Sequence, residues 1–183
     1  MSGRREYAVR TQSNHEHMTI VETILADFEE EMPPTRKVIE RVPSDRGEWR
    51  PHTKSFPIGH LAQLVSGMPG WLANIATQPR LDLMATPGYS FESTKALLEA
   101  FDRNVVEARA ALRALDDGKL DRQWSLVAGD KTILSSPVGS TLRQTLRHLV
   151  HHRAQLTVYL RLLDIPVPAT YGPSADDRAG FGI

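Results

Sequence analysis

The segment STLRQTLRHLVHHRAQLTVYLRLL, residues 140–163, is the most informative stretch of the chain. Its apolar residues recur at the three- and four-residue spacing of a single helical face: Leu142, Leu146, Leu149, Leu156, Tyr159, Leu160 and Leu163. At about 100° per residue, His152 falls inside this apolar arc and His148 on its edge, whereas His151 faces away. The pattern predicts a long amphipathic helix, capped near Ser140, with two histidines facing inward.

His148 and His152 are four residues apart, so on a helix they lie one turn apart on the same face. Two imidazoles at this spacing can bind one metal ion. A zincin protease also needs a glutamate beside the first histidine as general base, and here Leu149 follows His148, which argues against protease chemistry. Two core-edge histidines with ordinary hydrogen-bond partners have the same spacing, so this pattern alone leaves metal binding and plain packing open.

Three further helices are predicted upstream, and they make the chain an all-α four-helix bundle with antiparallel neighbours. They cover about 19–42 with an interruption at Pro33 and Pro34, 58–76, and 90–115. Residues 116–139 fit a short hairpin or an irregular loop equally well. The tail from about residue 164 has three prolines and three glycines and is expected to be irregular.

His60 lies at the edge of the apolar arc of the second predicted helix, so it can face the same interior as His148 and His152. These three are the candidate metal ligands. Three imidazoles leave a coordination position open, as in a catalytic zinc site. A bound water or thiol there should lose a proton near neutral pH, which suits thiol transfer or hydrolysis. Side chains that could orient a ligand or a substrate are Gln155, Tyr159, Arg153 and Trp71. Core packing is the alternative for Tyr159 and Trp71, and a solvated position on the helix is the alternative for Arg153.

Composition narrows the class of protein. Lysine plus arginine and aspartate plus glutamate each number 22, and this balance argues against a dedicated nucleic-acid-binding protein. The chain has no cysteine, which excludes disulfides and thiolate metal ligands. Residues 1–17, which include His15 and His17, are polar and are expected to form a flexible arm rather than a secretory signal. With no apolar run of about 20 residues either, we expect a cytoplasmic protein without a membrane span.

Two motifs resemble the DinB-like superfamily of bacterial metal-binding proteins: EWRPHTKSFPIGHLAQL, residues 48–64, and TLRHLVHHRAQLTVYLRLLDIPVPATYGPS, residues 145–174. The resemblance covers about residues 18–175, so the predicted domain is 18–183. The second motif is similar to a family pattern of histidine, three residues and His-Arg-Gly-Gln-Leu, with Ala154 in place of the usual glycine.

The resemblance implies an up-down-down-up bundle, often a homodimer, with His60, His148 and His152 as ligands of zinc, nickel or iron. It also implies a small-molecule substrate, because relatives include transferases and isomerases that use thiols such as mycothiol or bacillithiol. Two alternatives to a thiol-dependent S-transferase stay open. One is a metal-dependent hydrolase, and the other is a non-catalytic, stress-related dimer whose metal is structural or sensory.

Overall fold

The computed structural model describes residues 18–178, so the predicted arm, 1–17, and the last residues, 179–183, lie outside the described residues. The helices of the described part are α1 (Ile20–Ile39), α2 (Ile58–Thr77), α3 (Thr94–Arg113) and α4 (Val138–Leu162). Its strands are β1 (Arg80–Asp82), β2 (Gln123–Ala128) and β3 (Lys131–Pro137). None of these helices is long and apolar enough to cross a membrane.

The predicted all-α fold class is wrong, because a three-stranded mixed sheet accompanies the four helices. β2 and β3 pair antiparallel around a turn at Gly129, whose φ of +57° suits a residue without a side chain. This hairpin occupies the segment for which the sequence left a hairpin and an irregular loop open. β1 pairs parallel with β2, aligning Leu81 with Leu126. Strand β1 is three residues long and its partner is distant in sequence, so no local pattern indicates it.

The helices build one hydrophobic core. α2 packs against α3 and α4, and α1 packs against the same two helices, so α1 and α2 occupy opposite corners of the bundle. Fully buried side chains from each helix meet between them, including Phe28, Leu61, Leu72, Phe101, Leu142 and Leu149. The sheet joins this core through Trp124, which is buried and donates its indole N–H to Asn74 Oδ1 at 3.0 Å.

Helix α1 begins at a capping box, in which Thr19 and Glu22 satisfy each other's backbone N–H groups. The carboxylate of Asp117, from the segment after α3, accepts the N–H groups of Ile20 and Val21 at 3.0 and 2.9 Å. The helix then continues through Pro33 and Pro34, where an interruption is predicted. Buried side chains on both sides of the prolines, including Met32 and Thr35, pack into the core and hold this segment helical, although the carbonyls of Glu29 and Glu30 lose their helical N–H donors.

The ring of Phe91 fixes the start of α2 by filling the space beside Gly59. A Cβ on Gly59 would lie 2.6 Å from Phe91 Cγ, closer than real side chains approach. A Cβ on Gly67, further along the same helix, would have no other atom within 4 Å. Gly59 and Gly67, both in α2, therefore offer a matched comparison of a filled position and an open one.

Gly59→Ala is expected to lower the free energy of unfolding by about 1–3 kcal/mol, because the methyl group must displace Phe91. Gly67→Ala should leave it unchanged or raise it by up to about 1 kcal/mol, since alanine favours the helix. Urea unfolding followed by circular dichroism measures both. Equal stability of the two variants would contradict the packing described for Phe91.

Candidate metal centre

His148 and His152 project from the same side of α4 and meet through their ring nitrogens. Nε2 of His148 lies 2.7 Å from Nε2 of His152, and the ring centroids are 4.5 Å apart. The helical phase that sets this side is fixed by the buried residues Leu149 and Leu156. His152 is half-buried, whereas His148 and His151 are exposed. The pair predicted from the four-residue spacing is therefore in direct contact.

Gln155 sets the proton position on His152. The carbonyl oxygen of Gln155 lies 2.7 Å from His152 Nδ1, and because a carbonyl can only accept, Nδ1 carries the proton. In the neutral ring the Nε2 of His152 is then a lone-pair acceptor, and it takes the N–H of His148 Nε2. Desolvation lowers the pKa of His148, and charge on His152 and His151 lowers it further, so the neutral form of His148 is favoured.

Gln155→Leu is expected to weaken divalent-metal binding by about 10–100-fold, because it removes the group that holds the ligating tautomer of His152. Gln78→Leu, at an exposed position just after α2, is the matched control and should bind like the wild type. Competition with a chromophoric chelator measures both affinities. An unchanged affinity for Gln155→Leu would remove Gln155 from the site.

His60 lies between two aromatic rings rather than beside the other histidines. Its ring stacks on Tyr89, with ring centroids 4.8 Å apart and an angle of 21° between the planes. On Phe56 the distance between the ring centroids is 4.6 Å. Tyr89 donates its hydroxyl to Glu48 at 3.0 Å. Burial, together with this bond to a carboxylate, raises the pKa of Tyr89 to about 12. The phenol of Tyr89 is therefore neutral at physiological pH, and its ring packs against His60.

Trp71 and Tyr159, the two predicted aromatic side chains, differ in their surroundings. Trp71 borders the histidine pair, since its ring centroid is 6.3 Å from that of His148. Tyr159 instead packs edge-on against Trp49, with centroids 5.7 Å apart, and takes the core-packing role that was its alternative.

Arg153 follows His152 in the chain, but its guanidinium turns away from the histidines into α1. Only 2% of its side chain is exposed, and Nη1 lies 2.6 Å from Glu31 Oε2. Nη1 also donates to Thr35 Oγ1 at 3.0 Å and to the Glu31 carbonyl at 3.2 Å, just before the two prolines. Tyr171 covers the group, with Arg153 5.1 Å from its ring centre. Arg153 thus ties α4 to α1 beside His152, and these contacts occupy it.

A cleft of about 450 Å³ opens between α2, α3 and the segment 86–89, beside these rings. His60, Trp71 and Tyr89 form part of its walls, and Gly67 and Asn104 lie along it. Gly67, Tyr89 and Asn104 were not predicted as site residues from the sequence. No local signal could have indicated them, because a glycine in a helix, a tyrosine in a connection and an asparagine on α3 meet only in the folded chain.

The histidine pair fits a divalent ion better than the full triad does. Two nitrogens that share one zinc ion at about 2.0–2.1 Å stand roughly 3.3 Å apart, so the observed pair needs to open by only about 0.6 Å. Within residues 18–178, however, no three histidine or carboxylate side chains form a group close enough to hold a metal. His60 must leave its stack on Tyr89 before it can join the pair as a third ligand.

Comparisons with known proteins agree on the family and the fold. The model of the DinB family matches residues 12–180. The crystal structure of a DinB-like protein from Bacillus cereus superposes with a TM-score of 0.66 at 20% identity, covering 82% of this chain and 97% of that one. YrdA, an uncharacterized protein of Bacillus subtilis strain 168, is 43% identical over 47 residues. Those residues are 26% of this chain and 28% of YrdA, so the chain matches less than a third of that relative.

A variant of the mycothiol-dependent maleylpyruvate isomerase shares the fold at lower similarity. Its crystal structure superposes with a TM-score of 0.56 at 15% identity, over 76% of this chain and 63% of the isomerase. At such identities a likeness shows the fold alone.

Proposed function

The chain belongs to the DinB family, and from that premise we propose that it is a divalent-metal-dependent enzyme that transfers a small-molecule thiol. His148 and His152 are the primary ligands in this proposal, and His60 is the third. Zinc and nickel are the expected metals, with iron as a further candidate, because imidazole suits all three. The contact between the two α4 histidines is the observation that carries the proposal.

The protein's own residues have distinct roles in this proposal. Gln155 keeps the proton of His152 on Nδ1, so that Nε2 is free to bind. Trp71 is a wall of the cleft with its ring centroid 6.3 Å from that of His148, so it would contact a substrate that reaches the pair from this side. When bound, a divalent ion supplies a Lewis acid that lowers the pKa of a thiol or a water placed against it. The neutral imidazoles leave the charge of such an ion uncancelled.

One observation favours a thiol as the nucleophile: a mycothiol-dependent enzyme shares the fold. Because the chain contains no cysteine, a thiol nucleophile has to be a small molecule. In the transfer, the thiolate sulfur forms a bond to an electrophilic carbon, the leaving group departs with its electron pair, and the thiol proton passes to solvent.

The activity is tested by incubating the full-length protein with N-acetylcysteine and 1-chloro-2,4-dinitrobenzene while thioether formation is followed by absorbance. Zinc- or nickel-loaded protein should exceed the uncatalysed rate, and chelation should remove the excess. His151→Ala should keep the activity and His152→Ala should lose it. No excess rate with this thiol, mycothiol or bacillithiol, together with metal-dependent cleavage of 4-nitrophenyl acetate, would replace thiol transfer with hydrolysis.

The hydrophobic core argues against a metal whose role is purely structural. The four helices bury a continuous apolar cluster with no contribution from the histidine pair. Removing the metal is therefore expected to leave the helical circular dichroism spectrum intact at 25 °C. A protein that unfolds on chelation would instead derive its folding free energy from the metal, as structural zinc sites do.

A further inference from the structure

The cleft beside His60 carries no formal charge on its walls. Of the twelve residues that line it, none is aspartate, glutamate, lysine or arginine. Outside the lining, the carboxylate of Glu48 accepts the hydroxyl of the wall residue Tyr89. An anionic ligand in this cleft would lose hydration without gaining a cationic partner, which is costly.

The amide side chains in the cleft are already engaged. Gln63 accepts the N–H of Ser90 at 3.0 Å and donates to the carbonyl of Gly88 at 3.3 Å, so it holds the 86–89 segment in place. Asn104 donates to the carbonyl of Ser66 at 3.0 Å. The aromatic surface left to a ligand is mainly the ring of Trp71, with the part of Tyr89 that is not stacked on His60, and such surface favours stacking with another ring.

Gly67 makes room for such a ring. It lines the cleft, and a Cβ at this position would meet no atom within 4 Å. At about 450 Å³, the space lies within the range of small-molecule sites, roughly 300–1,000 Å³.

We propose that this cleft binds an uncharged, ring-bearing small molecule and discriminates against its carboxylate counterpart. As the site of the electrophile the cleft rests on the proposed function, because Trp71 lines the cleft and also lies beside His148. Binding in the cleft itself needs only its walls, so it can be measured without metal.

The test is equilibrium dialysis of the full-length protein, stripped of metal at about pH 8, against 4-nitrobenzamide and 4-nitrobenzoate, which differ mainly in charge. The amide is expected to bind at least about tenfold more tightly. Gly67→Leu fills the open position and should weaken amide binding by about tenfold or more, whereas Gly67→Ala should change it by less than about threefold. His148→Ala/His152→Ala should bind the amide like the wild type.

Equal or tighter binding of 4-nitrobenzoate overturns the proposal, as does a failure of 4-nitrobenzamide to saturate. Unchanged amide binding by a folded Gly67→Leu variant also overturns it, because the ligand would then lie elsewhere. The outcome is separable from the metal proposal: a protein that binds the amide but no metal keeps the cleft and loses the metal site. A protein that binds metal but not the amide does the reverse.

Discussion

Replacing Arg153 with alanine is expected to lower the free energy of unfolding by about 3–5 kcal/mol, because it leaves Glu31 with a buried and uncompensated carboxylate. Glu31 Oε2 has no aligned hydrogen bond within the described residues, so the ion pair with Arg153 is its compensation. Glu31 Oε1 additionally accepts the hydroxyl of Tyr171 at 2.6 Å. Burial and this bond raise the pKa of Tyr171, so the tyrosine stays a neutral donor to the carboxylate.

Urea unfolding measures the effect, and two controls bracket it. Lys95→Ala removes a pair whose side chains are 87% and 57% exposed, and it should cost less than about 0.5 kcal/mol. Glu31→Leu/Arg153→Met replaces both buried charges by apolar groups and should recover most of the stability. A loss below about 1 kcal/mol for Arg153→Ala would contradict a buried ion pair at this position.

Replacing His152 with alanine is expected to weaken binding of zinc or nickel by more than about a hundredfold, beyond the usual effect of losing an outer partner of a metal ligand. Gln155 fixes the proton of His152 on Nδ1, which leaves Nε2 as the ligating nitrogen. Replacing His152 removes this ligand together with its hydrogen bond to Gln155. Metal titration against a competing chromophoric chelator gives the affinity.

His151→Ala is the matched control for this measurement. His151 is exposed and touches His152 edge-on, with ring centroids 5.0 Å apart, but it does not share the contact between the Nε2 atoms. Its loss should change the affinity by less than about threefold, well under the effect of losing a partner of a ligand. Equal losses for the two variants would assign metal binding to exposed imidazoles in general.

The helices could be predicted because each carries a long apolar stripe. The prediction of 58–76 is confirmed by α2, and the inward position of His152 follows from the phase of its neighbouring leucines. The β2–β3 hairpin was one of two alternatives for its segment, but β1 could not be predicted, since it depends on a partner more than forty residues away. The continuation of α1 through Pro33 and Pro34 likewise depends on packing against the rest of the core, which no local pattern shows.

Part of the candidate site could likewise be predicted from the sequence, and part could not. Spacing along one helix was enough to bring His148 and His152 together. The position of His60 depends on Phe56 and Tyr89, which no periodic pattern connects to it. The burial of Arg153 was equally hidden, because a charged residue on a helix ordinarily faces water. The homodimer and the N-terminal arm stay predictions.

The most direct test of the central claim is elemental analysis of protein purified without an affinity tag or added metal, beside the His148→Ala/His152→Ala variant. The wild type is predicted to hold about one equivalent of zinc, nickel or iron per chain, and the folded variant none. No metal in either protein, together with no uptake by the wild type on titration, would contradict the account and leave the two histidines as a hydrogen-bonded pair on α4.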